Sequence, residues 1–159
     1  MVSQAADSLI RLVAFLIDGN RYALRLAQVE RILPFAAVSP LPEAPAIALG
    51  VINLNGGVVP VLDIRRRLGF PARGYGVRAH LIAARTARRI VALPVDEALG
   101  VMEVAGGAVI SPEAVLPGTG HVAGIVALPD GLLFIHDLDA FLSLDEEARL
   151  GAALGEGRA

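Results

Sequence analysis

Three histidines, His80, His121 and His136, are the only imidazoles, and the chain has neither cysteine nor lysine. That inventory excludes thiolate metal sites, cysteine nucleophiles, Schiff-base chemistry and a P-loop lysine. His136 stands beside Asp137, a pairing that resembles a general base and its orienting carboxylate. Its place in the local pattern favours a strand-end histidine next to a helix-capping aspartate. No histidine has a second one at helical or strand spacing, so a metal site would need distant residues to converge. Asp137-x-Asp139 and Asp145-Glu146-Glu147 could seed a cation site, but they lack the ligand run of a calcium loop and suit helix N-termini. The stretch from Gly118 to Gly124 resembles a phosphate-cradling loop only loosely, because it neither follows a strand nor opens a helix. The seven serines and threonines sit in no nucleophile elbow. Arg65-Arg66-Arg67 and Arg88-Arg89 could touch phosphates. A single-strand-binding barrel also needs stacking aromatics, and here two Tyr and five Phe fall mostly in apolar strands. No paired reactive groups remain, so an enzyme ranks last and an interaction module first.

The frame that must position these residues is short-stranded. The chain has 159 residues, 55% hydrophobic and 19% charged, which fits one domain or two very small ones with a real core. The net charge of −2 hides a split: residues 1–89 hold 12 arginines against five acids, and residues 90–159 hold two against 11. Met1 to Ser8 carries no basic, apolar leader. The uncharged stretch Ala44 to Leu62 is long enough to mimic a membrane span, but Asn53-Leu54-Asn55-Gly56-Gly57 in its middle predicts a turn between two strands. No membrane insertion is expected.

Apolar runs separated by turn residues predict four hairpins. They join Leu12–Ile17 to Tyr22–Leu26, Val51–Leu54 to Val58–Leu62, Leu81–Ala84 to Ile90–Val95, and Gly124–Leu128 to Leu132–Ile135. Pro60 inside a strand implies an edge or a bulge. Asp63 can cap a short helix Ile64–Leu68 stopped by Gly69, and Asp137 another at Leu138–Leu142. Ser143-Leu-Asp-Glu146 reads as a capping box opening a final helix to about Leu154, with Leu150 and Leu154 on its docked face.

Sliding the chain by 74 residues superposes Gly50 to Leu68 on Gly124 to Leu142, with Gly50/Gly124, Leu54/Leu128, Gly57/Gly131, Asp63/Asp137 and Leu68/Leu142 identical. Two similar units follow, each too small to be stable without a shared interface. Two small closed barrels side by side satisfy this, since closure removes exposed sheet edges.

The block Gly50-Val-Ile-Asn-Leu-Asn-Gly56, Val58-Val-Pro-Val-Leu-Asp63-Ile and Leu68-Gly69 resembles the CheW-like family of bacterial chemosensory adaptors. Phe15 to Leu26, Val29 to Ile32, Leu41 to Pro45, Pro94-Val95-Asp96 with Val101, and Gly124 to Leu142 support the resemblance, which spans roughly residues 9–145. It implies an all-β fold of two five-stranded SH3-like barrels packed side by side, with short helices and a C-terminal helix. One domain is expected over 9–154. Its barrels would be 9–75, with 143–154 docking, and 76–142, and residues 1–8 and 155–159 would be flexible tails. The resemblance implies a cytoplasmic, non-enzymatic coupler without a cofactor or metal, bridging chemoreceptor tips to the regulatory domain of a CheA-type histidine kinase. The implied partner-facing residues are Gly50, Asn53, Leu54, Asn55 and Gly56, with Val29, Glu30 and Arg31 beside them. The family's N-L-R-G arginine is Asn55 here, and the glutamate of its V-x-E-I segment is Arg31. Losing an arginine fork removes an effect on the order of 1.5–3 kcal/mol. Docking of an ordinary receptor should therefore be weakened or altered. Alternatives are a divergent paralogue that binds kinase or a pilus-type pathway partner without the receptor and, more remotely, an arginine-rich barrel on nucleic acid.

Overall fold

The computed structural model describes residues 8–111 and 121–156. In chain order the elements are β1 (Leu9–Ile17), β2 (Asn20–Arg25), β3 (Val29–Pro34), β4 (Ala48–Leu54), β5 (Gly57–Leu62), α1 (Ile64–Arg67), β6 (His80–Arg85), β7 (Ile90–Val95), β8 (Glu97–Ala105), β9 (Val109–Ile110), β10 (Val122–Leu128), β11 (Gly131–His136) and α2 (Leu144–Ala153). They form two sheets, ordered β8-β1-β2-β11-β10-β9 and β3-β6-β7-β5-β4, each coiled into an SH3-like barrel. The expected five strands become six in the first sheet because of the two-residue β9.

All four expected hairpins form, with β1–β2, β4–β5, β6–β7 and β10–β11 paired antiparallel. Turn chemistry explains two of them. Asp18-Gly19 and Asn55-Gly56 have φ of 53° and 80°, and 53° and 86°, as type I′ turns require.

The division at residues 75/76 is corrected. The hairpin β1–β2 takes both its neighbours from the far half of the chain: β8 lies antiparallel to β1, and β11 lies parallel to β2. The second barrel is therefore the continuous stretch β3–β7, inserted between β2 and β8 of the first. A 3₁₀ turn at Leu26–Gln28 carries the chain across, and the single residue Asp96 between β7 and β8 brings it back.

The internal repeat has a structural counterpart. The hairpins β4–β5 and β10–β11 both shift register just before their equivalent glycines, Gly50 and Gly124. Asp63 accepts from the Arg66 amide and Asp137 from the Ala140 amide, so both cap a helical turn. The second turn is a 3₁₀ segment, Leu138–Ala140, shorter than expected.

Pro60 is also corrected, since β5 lies between β7 and β4. Pro60 faces Val51, whose N–H and C=O both bond Ser39 instead. Its ring nitrogen therefore points toward β7, which β5 meets only at Val61 opposite Ala92. A missing donor is tolerated where no ladder is built.

The largest cluster of buried side chains, 15 residues against seven and four in the other two, draws on both barrels. Phe15, Ile17, Tyr22 and Leu24 of the first meet Ile82, Leu93 and Val95 of the second, under Ile64, Phe141 and Leu150. The shared interface is thus the main core, as units of this size require. The capping box forms in full: Ser143 Oγ accepts from the Glu146 amide, and Glu146 accepts from the Ser143 amide. Leu150 is buried and Leu154 packs beside it. Residues 155–156, expected to fray, are held: Glu156 bonds both Arg89 and the Gly151 carbonyl. Among the described residues no helix is long and apolar enough to cross a membrane.

Candidate functional site

The tip of the β4–β5 hairpin is built by its own sequence. Asn55 and Gly56 take the left-handed conformations, and Asn53 Oδ1 accepts from the Gly56 amide at 2.8 Å. A Cβ on Gly56 would meet nothing within 4 Å, so that glycine serves backbone conformation alone. Gly50 differs. It is buried at φ 152°, and a Cβ there would lie 2.1 Å from the Ser39 carbonyl oxygen. It lets the segment at Ser39, which bridges to Val51, approach β4, and its role is packing.

Beyond the Val61–Ala92 bridge β5 and β7 part, and the gap forms an open groove of about 480 Å³. Glu30 and Arg31 of β3, with Leu54 and Asn55 of the hairpin tip, line it; four of the eight expected residues therefore converge. Val29, Gly50, Asn53 and Gly56 do not line it. Val29 packs half-buried against the main core, and Asn53 borders a separate hollow with Phe35 and Ile52. Val58, 65% exposed, supplies the groove's apolar surface, and Leu154 and Glu156 supply a wall that sequence reasoning missed.

That wall is held by Arg89, whose side chain is 9% exposed. Arg89 donates through Nε to Glu147 at 2.8 Å and through Nη1 to Glu156 at 2.6 Å. The Glu156 hydrogen bond is the largest influence on Arg89, raising its pKa, while Arg89 lowers that of Glu156. Glu30 accepts from Arg85 Nε at 2.8 Å. Arg31 is exposed and, among the described residues, has no ion pair.

A second feature escaped sequence reasoning. Of the three consecutive arginines, Arg65 turns inward and is 2% exposed. It donates to Asp18 at 3.0 Å and to Asp96, and stacks over Tyr75 at 5.6 Å. Asp96 also accepts the Asp18 amide at 2.7 Å, so this network pins the β1–β2 turn to the crossing point between the barrels. Arg66 is exposed, while Arg67 pairs with Glu146 at 2.5 Å and lies over the Phe141 ring.

The residues singled out for reactive chemistry are engaged otherwise. His136 is buried; its Nδ1 lies 2.9 Å from the His121 carbonyl oxygen and its ring meets Phe141 edge-on. Burial pushes its pKa down to about 4. Asp137 caps Ala140 rather than orienting His136. His80 Nδ1 accepts from the Ala98 amide. Asp139 accepts from the Ala87 amide, while Glu146 and Glu147 bind Arg67 and Arg89. Of the Gly118–Gly124 stretch, residues 118–120 lie outside the described residues, and Val122 to Gly124 belong to β10.

Residues 11–146 match the CheW-like domain. The chain belongs to the CheW-like domain family. It is 32% identical to the chemotaxis protein CheW of Bacillus subtilis over 144 residues, covering 89% of this chain and 91% of that one. It is 37% identical to CheW of Rhizobium meliloti over 93 residues, covering 58% of this chain and 60% of that protein. The fold is that of the scaffolding protein TtCheW from Thermoanaerobacter tengcongensis, with a TM-score of 0.80 at 24% identity over 87% of this chain and 96% of that one. CheW-like proteins are scaffolds and adaptors that link chemoreceptors to the kinase CheA. As a member, this chain is an adaptor and not an enzyme.

Proposed function

We propose that the groove beside the β4–β5 tip docks the cytoplasmic tip of a chemoreceptor, while other faces of the two barrels hold the regulatory domain of a CheA-type histidine kinase in the cytoplasm. One observation carries the reading: Glu30, Arg31, Leu54 and Asn55, distant in sequence, line one open groove around the exposed Val58. In this reading Gly50, Asn53 and Gly56 hold the hairpin in shape, and Val29 anchors the β3 wall. Co-sedimentation of the purified chain with a receptor tip fragment and a CheA-type kinase tests it. Val58→Glu places a charge on the groove floor and should reduce receptor binding at least tenfold while leaving kinase binding intact. Unchanged receptor binding refutes the groove.

Asn55 and Arg31 favour a second reading, in which the chain serves kinase without ordinary receptors. The double substitution Asn55→Arg with Arg31→Glu should then create receptor binding where the wild type has none. No gain counts against it.

A further inference from the structure

We infer that the occupant of this groove is an amphipathic helix whose apolar face carries a carboxylate, and that Arg31 is the residue that selects it. The inference rests on the groove being the receptor-docking site.

Glu30 is paired with Arg85, and Arg89 with Glu147 and Glu156. Arg31 alone, among the charged residues lining the groove, has no partner in the described structure. A ligand that covers the groove must desolvate this guanidinium or pair it. Pairing requires an acceptor, and a carboxylate matches the planar fork of arginine through two parallel hydrogen bonds. A basic residue at the same place would bring like charges together in a partly dry site, which disfavours such partners.

The rest of the lining sets the shape of the occupant. Val58 is 65% exposed, and Leu54 and Leu154 are half-buried beside it, so an apolar face is covered on docking. A strand could instead add to the open flank of β5 where it parts from β7. Pro60 opposes that, because its nitrogen points to that flank and cannot donate to an incoming strand. Recognition therefore runs through side chains, which a helix presents at intervals of three and four residues.

The test uses the full chain and a receptor cytoplasmic tip fragment in which each exposed Glu or Asp is changed singly to Lys. Affinities are measured for the wild type, Arg31→Glu and Val58→Glu at low and high salt. At least one tip variant should bind the wild type about tenfold more weakly and recover on Arg31→Glu, with the difference shrinking in salt. Both substituted residues are exposed, so the fold is retained and circular dichroism confirms it. If Val58→Glu abolishes binding but no charge reversal discriminates between the wild type and Arg31→Glu, the carboxylate inference falls and the groove stands. If Val58→Glu binds as the wild type does, or the wild type binds no tip at all, both fall.

Discussion

His136 makes a sharp prediction about acid. Its Nδ1 donates to the His121 carbonyl oxygen, its Nε2 is buried without a partner, and Arg67 repels a positive ring. Protonating Nε2 in the folded protein would create a buried cation with no acceptor, and burial holds the pKa near 4 against an ordinary value of 6.5. Between those values the unfolded chain binds the extra proton and the folded chain refuses it. Stability is therefore fully present above pH 6.5 and declines as pH falls toward 4. The loss between pH 7 and pH 5 is about 2 kcal/mol, and below pH 4 it approaches roughly 3 kcal/mol. For a chain of this size, about 2 kcal/mol corresponds to roughly 4–8 °C in Tm. His136→Leu isolates the effect, because the His121 carbonyl still accepts from the Asp137 amide and is not orphaned. Urea unfolding of both proteins at pH 7 and pH 5, at constant ionic strength, should show the wild type losing about 2 kcal/mol more than the variant. Equal losses in the two proteins would refute the argument, since every other titrating group is common to both.

Other substitutions separate the remaining forces. Arg65→Met should cost about 3 kcal/mol, because Asp18 and Asp96 are left facing each other with only the more distant Arg73 between them; a thermal melt should show a Tm lower by roughly 6–12 °C. Gly56→Ala should cost only about 1 kcal/mol, for the left-handed backbone alone, measured by urea unfolding. Gly50→Ala should cost more than about 3 kcal/mol and leave little soluble protein, because its Cβ meets the Ser39 carbonyl. Ser143→Ala removes the cap of α2 and should cost about 1 kcal/mol, with faster amide exchange in that first helical turn.

Local signals were legible in the sequence and distant pairings were not. Asp18-Gly19 and Asn55-Gly56 announce their hairpins because few other residues accept two successive positive φ angles. Ser143 and Glu146 announce α2 for the same kind of local reason. Nothing local says that β1 pairs with β8, or β2 with β11, because those partners are chosen by three-dimensional edge closure. The β8 pattern is further blurred where Gly100 sits opposite a register shift in β1. Three identical side chains at 65–67 cannot say which one is buried; Asp18 and Asp96 decide it from 47 and 31 residues away. Four of the groove's twelve lining residues, Glu30, Arg31, Leu54 and Asn55, were reached through family resemblance. Its other wall was missed because Gly155 reads as a helix end, while Arg89, 67 residues earlier, holds Glu156 in place.

The insertion of one barrel inside the other has a consequence for synthesis. On the ribosome β3 to β7 emerge as an unbroken series and can close as soon as β7 is free. The hairpin β1–β2, translated before them, must wait for β8 and β11 before either flank is covered. Throughout that interval Phe15 and Ile17 lack part of the core that buries them, and the hairpin offers two open edges to any passing strand. The hairpin made before the inserted barrel is thus secured after it.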